Sequence, residues 1–136
     1  MSNQKRKLEG ARSLNQYHQV IDMVYTALEV WDEGMALASL CYDVTTEFPA
    51  EHSWVLKTKI RLAASRIAAS VAKAYEQSSE GFWYHIQESQ ESLLELKTHL
   101  KFAERLSLVE PRVNAALLVN CDLMAQRLVS LQAAAS

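Results

Sequence analysis

Apolar residues recur along this chain at alternating three- and four-residue steps over four long stretches, the spacing of helices that bury one side. The first stretch is the strictest. Leu14, Tyr17, Ile21, Val24, Leu28, Trp31, Met35, Ala38 and Tyr42 keep the step without a slip. A second row, Val30, Gly34, Leu37, Cys41, Val44 and Phe48, runs beside it, so the spacing predicts a helix buried on two sides. Ser13 with Gln16 is a capping box for a start at 13, and Thr26 with Glu29 is a competing one for a start at 26. The unbroken row favours a single helix to about Phe48, which Pro49 then ends.

A short turn through Glu51 and His52, with Ser53 as a cap, leads into the second stretch, Lys57 to Tyr75. Ile60, Ala63, Ala64, Ile67, Val71, Ala74 and Tyr75 line one side of it, and alanine fills most other positions. A helix this thin lets neighbours approach its backbone, which predicts a central helix with the others packed around it. Ser78 and Ser79 punctuate the chain and Gly81 opens the third helix. There Phe82, Ile86, Ser89, Leu93, Leu96, Leu100 and Ala103 step 4-3-4-3-4-3, the period of a left-handed bundle seam. Pro111 suits the first turn of a fourth helix, whose inward row is Val113, Leu117, Cys121, Met124, Leu128 and Leu131. The pattern predicts an all-α, antiparallel up-down four-helix bundle with an N-terminal helical extension.

Composition agrees. A chain of 136 residues with 49% hydrophobic content, 3 Gly and 2 Pro is helical and long enough for one core. The formal charge is −2, but it is unevenly placed. Residues 2–12 carry Lys5, Arg6, Lys7 and Arg12 against Glu9, a net of +3, which leaves −5 for the remainder. The division expected is a flexible basic arm over 1–12, the bundle over 13–132 and a frayed tail over 133–136. Cys41 and Cys121 stand alone with no metal or disulfide spacing, which suits buried thiols in a reducing compartment. No apolar run reaches the length of a membrane span and no signal-peptide core follows the basic start, so the expectation is a cytoplasmic protein without membrane contact.

No catalytic constellation stands out. The residues three before His18, His52, His85 and His99 are Asn15, Pro49, Phe82 and Leu96, so the Glu-x-x-His motif of di-iron bundles is absent. Glu91, Glu95 and His99 stack at four-residue steps, a spacing that a solvated acidic flank also produces. Glycine-rich phosphate loops, HExxH and GxSxG are missing as well. The expectation is a protein that is not an enzyme and has no catalytic residue, metal or cofactor. Trp31, Trp54 and Trp83 each adjoin an apolar row and read as packing or interface anchors.

Two surface features remain. Lys59, Arg66 and Lys73 repeat every seven residues and, with Lys57 and Arg61, form a basic stripe, the candidate nucleic-acid contact. The same stripe is what a solvated flank paired with acids of neighbouring helices looks like. Tyr84, Leu94, Phe102, Leu118, Leu123 and Val129 lie off the inward rows, and Trp31 joins them as an interface anchor. On a single copy they leave a large apolar area in water, which a closed homo-oligomer covers, and they are the candidate oligomer interface.

These segments resemble a bacterial family of small four-helix-bundle proteins encoded in intervening sequences of large-subunit ribosomal RNA genes. The accessory variability proteins of diversity-generating retroelements are its relatives. The likeness rests on Tyr25, Leu28, Val30 and Trp31, on the Phe48-Pro49 step, and on Lys59 to Ala64 continuing through Ile67 and Ser70. It extends through Phe82 and Ser92-Leu93-x-Glu95-Leu96, so Tyr25 to Arg105 is well covered. Where the family has Asn-Ile-Ala-Glu-Gly, this chain has Ser70-Val71-Ala72-Lys73-Ala74, which removes the helix-ending glycine and lengthens the second helix. Residues 1–24 have no counterpart in short members. The resemblance implies a ring of five bundles, a homopentamer, working with RNA, DNA or a reverse transcriptase. Two function classes follow: a non-enzymatic nucleic-acid-associated scaffold, and a protein-only oligomeric adaptor, which the charge of −5 outside the arm favours.

Overall fold

The structure is a computed structural model and describes residues 3–51, 53–77 and 79–134. Its elements are α1 (Asn3–Thr46), α2 (Trp54–Tyr75), α3 (Ser79–Arg105) and α4 (Pro111–Ala134). Short connections make successive helices antiparallel. α1 packs on α2 and α4, and α3 packs on α2 and α4, while among the described residues the diagonal pairs do not meet. The result is a four-sided up-down bundle.

Two expectations about α1 are corrected, its start and its burial on two sides. The helix starts at Asn3 rather than at Ser13, so residues 3–12 continue it. Gln4 to Arg12 are mostly strong helix formers, which outweigh the roughly 1 kcal/mol that Gly10 costs. α1 runs through Thr26 without a break, as the unbroken row favours, and the Thr26 hydroxyl donates to the Asp22 carbonyl at 2.8 Å. Nor is α1 buried on two sides: only one of its two apolar rows faces the bundle. Ala27, Val30, Gly34, Leu37 and Cys41 are buried, whereas Leu28, Trp31, Met35 and Tyr42 of the stricter row are exposed. The reason is size: the row with Ala27, Gly34 and Cys41 lets α1 approach its neighbours closely. A Cβ built at Gly34 stands only 3.3 Å from the Ala68 Cβ.

α2 is not central either; it is one corner, bounded by α1 and α3. Its small side chains serve these two close approaches instead of one contact with every helix. On the α3 side, the fully buried Ser89 donates to the Ile67 carbonyl at 2.8 Å. The α3 seam is buried at each of its seven positions, as its period predicts. On α4 the inward row holds from Leu117 to Leu131, but Val113 is exposed and Asn114 takes its place. The Asn114 side-chain amide donates to the Leu100 carbonyl at 3.0 Å.

The connections have local causes. Pro49 closes the α1 end, and Ser53 stands at the N-cap of α2 with its hydroxyl turned back to the Pro49 carbonyl. Arg61 crosses from α2 to hold the end of α1. α3 ends in a paired cap: Leu108 N–H donates to Ala103 at 3.0 Å and Ser107 N–H to Glu104 at 2.9 Å, with Ser107 at φ 58°. His52, Ser78 and residues 135–136 lie outside the described residues, and so do those parts of the turn and tail expectations. No helix among the described residues is long and apolar enough to cross a membrane.

Candidate functional site

The basic stripe divides on inspection. Lys59, Arg66 and Lys73 are exposed on α2, and Lys57 is half-buried. Arg61 is engaged. Its Nε donates to Thr45 Oγ1 at 2.8 Å, and one terminal nitrogen reaches Thr46 Oγ1 at 3.1 Å and the Tyr42 carbonyl at 3.2 Å. The guanidinium carbon also sits 3.6 Å from the Tyr42 ring centre. These bonds use the planar fork to satisfy the C-terminal end of α1, so Arg61 serves the fold rather than an incoming phosphate.

Arg66 and Lys73 border a groove of about 300 Å³ between α2 and α3. Its other wall carries Glu88, Glu91 and Glu95, and its floor holds the buried Ser70 and Ser92. Among the described residues neither cation forms an ion pair with these carboxylates. Even so, three negative groups within one groove offset the field of two positive ones. His85 Nδ1 lies 3.2 Å from Glu88 and His99 Nε2 3.5 Å from Glu95, so both histidines lean on the same acidic flank. Among the described residues no group of three or more His, Cys, Asp or Glu side chains is placed to hold a metal ion.

The candidate interface residues are mostly outward. Tyr84, Leu94, Phe102, Leu123 and Val129 are each more than half exposed, and Trp31 is exposed by 37%. Leu118 is the exception, half-buried against the core. Sequence reasoning missed an apolar groove of about 180 Å³ between α1 and α2, lined by Leu28, Trp31, Val71, Ala72 and Tyr75 with Glu76 at its edge. The available signal was Tyr75, the one member of the α2 row left exposed.

A further groove of about 330 Å³ lies near the C-terminal end of α1. Val44, Leu108, Val109 and Val113 line it together with Asp43, Glu47 and Glu110. Cys41 on α1 and Cys121 on α4 are both fully buried and free. Burial pushes the Cys41 thiol up to about 12, helped by Cys121. Burial likewise raises Cys121 to about 11, against a lowering effect of Lys97.

Residues 26–130 match the model of the 23S rRNA-intervening sequence protein family, most of the chain and the whole of the packed bundle up to the last turn of α4. The chain belongs to the 23S rRNA-intervening sequence protein family. The resemblance seen in the sequence is therefore a membership. The family match starts at Thr26, one residue before the first fully buried position of α1, Ala27. The first half of α1 lies outside the matched residues. A comparison with curated proteins gave no significant match.

Proposed function

We propose that the protein is a non-enzymatic, homo-oligomeric four-helix-bundle scaffold that works beside nucleic acid or a nucleic-acid enzyme such as a reverse transcriptase. The observation that carries this reading is the outward apolar set. Tyr84, Leu94 and Phe102 on α3, with Leu123 and Val129 on α4, are large apolar side chains each more than half exposed on two helices that pack side by side. A ring of copies, five on the family resemblance, covers such faces by closed symmetry. Phosphate contact would fall to Lys59, Lys57 and the net +3 of residues 2–12, with Arg66 and Lys73 weakened by the facing glutamates and Arg61 withdrawn. Such contacts are indifferent to sequence and steeply salt-dependent, and repetition around a ring multiplies them.

Two experiments test the two parts. Sedimentation of the wild type is expected to give a multiple of the 15.4 kDa chain, reduced by Phe102→Glu with Leu123→Glu. Fluorescence anisotropy with labelled RNA and DNA at low salt is expected to show binding that Lys59→Glu weakens and added salt abolishes. A monodisperse single copy at high concentration refutes the scaffold, and no binding at micromolar protein refutes the nucleic-acid role.

A second reading, a protein-only adaptor, is favoured by the groove of Asp43, Glu47 and Glu110 around an apolar floor, which suits a basic, apolar polypeptide. Assembly without nucleic-acid binding is its signature.

A further inference from the structure

α1 is 44 residues long while the other three helices have 22, 27 and 24. Ahead of the partly buried Ile21, Met23 and Val24, residues 3–20 extend α1 by about 27 Å at the usual rise. On this projection Leu14 and Tyr17 are 63% and 64% exposed. A helix of this length without tertiary contacts is marginal in water, since most helical stability comes from packing an apolar face. Yet this segment carries the strictest heptad row in the chain. The row continues into the bundle as Leu28 and Trp31, which are exposed and form one wall of the α1–α2 groove.

Charge supplies the orientation. Residues 2–12 carry a net +3, whereas 13–56 have seven carboxylates and no Lys or Arg. Two copies of α1 laid side by side in parallel set the basic ends against each other. Laid antiparallel about the axis given next, residues 2–12 run along the partner's residues 33–43, which carry Glu33 and Asp43 and no Lys or Arg. The heptad row agrees with this. About a two-fold axis between residues 22 and 23, Leu14 lies opposite Trp31, Tyr17 opposite Leu28 and Ile21 opposite Val24. This is the a-against-d pairing of an antiparallel coiled coil, and each contact occurs twice, as an isologous interface requires.

We propose that the projecting half of α1 docks on a second copy of the chain as an antiparallel coiled coil, with Leu14 of each copy seated at the partner's Leu28–Trp31–Tyr75 groove. This contact is separate from the α3 and α4 faces of the scaffold reading. It would tie single copies into pairs or rings into face-to-face assemblies.

Sedimentation of full-length Leu14→Glu and Ile21→Glu variants is expected to show the wild-type mass halved, with helical circular dichroism otherwise retained. The Phe102→Glu, Leu123→Glu variant tests the other interface, so either contact can fail alone. Register is read by cross-linking two separate single-cysteine chains, Tyr17→Cys and Leu28→Cys, in a background with Cys41 and Cys121 replaced by Ala. A mild copper–phenanthroline oxidation is expected to link them only when mixed. Self-linking of either chain alone indicates parallel pairing and overturns the proposal, as do an unchanged mass or no cross-link in the mixture.

Discussion

Gly34 on α1 stands directly against Ala68 on α2, and an added methyl at 34 reaches within 3.3 Å of the Ala68 methyl. Helix propensity favours Ala over Gly by about 1 kcal/mol in a helix interior. The tight contact opposes that gain. Gly34→Ala is therefore expected to change stability by less than about 1 kcal/mol, while Gly34→Leu costs about 1–3 kcal/mol by overpacking. Urea denaturation reads both, and an unchanged midpoint for the leucine variant contradicts the close approach.

Arg61 is a second test of the same helix pair. Arg61→Ala removes charge-assisted bonds to Thr45, Thr46 and the end of α1, and is expected to destabilise by about 1.5–3 kcal/mol. Arg61→Lys keeps the charge but not the fork or the stacking on Tyr42, so it should recover less than half of the loss. Thermal unfolding checks this. Full recovery by lysine would mean that only the charge matters.

Ser107 holds the left-handed position of the α3 cap at φ 58°, where a side chain pays a steric cost that glycine avoids. Ser107→Gly is expected to raise stability by about 1 kcal/mol, since the cap bonds to Ala103 and Glu104 use only the backbone. A lower melting temperature for Ser107→Gly goes against that assignment.

The thiols give a pH prediction. Folded Cys41 and Cys121 titrate at about 12 and about 11, above the ordinary 9.0. The native state therefore holds these protons more tightly than the unfolded chain. Their contribution is intact below pH 9 and is lost as pH rises towards 11–12, by about 1.4 kcal/mol per pH unit for each thiol. Guanidinium denaturation at pH 8, 9 and 10 is expected to show a slope that flattens in a Cys41→Ala, Cys121→Ala variant. An identical slope in that variant excludes the thiols as its source. For the same reason neither thiol should react with iodoacetamide at pH 8 before unfolding.

Much of the architecture was legible in the chain. The α3 seam from Phe82 to Ala103 is legible position by position, because its unbroken four- and three-residue step singles out one side of the helix. Pro49 and Pro111 marked boundaries for a backbone reason that no tertiary context changes. The outward set on α3 and α4 was visible as apolar residues left over once a seam had been filled.

Other features were decided only in three dimensions. α1 carries two apolar rows, and periodicity does not say which one faces the bundle; Gly34 against Ala68 settled it by allowing the closer approach. Arg61 and Lys59 are alike as letters in a basic stripe, yet one is spent on α1 and the other is exposed to water. Lys73 gains its acidic surroundings from α3, some fifteen or more residues away along the chain. Local spacing fixes which residues share a face of one helix, because that is set by the backbone alone. What each face meets depends on contacts between helices distant in sequence, and close packing and charge between those helices made the choice.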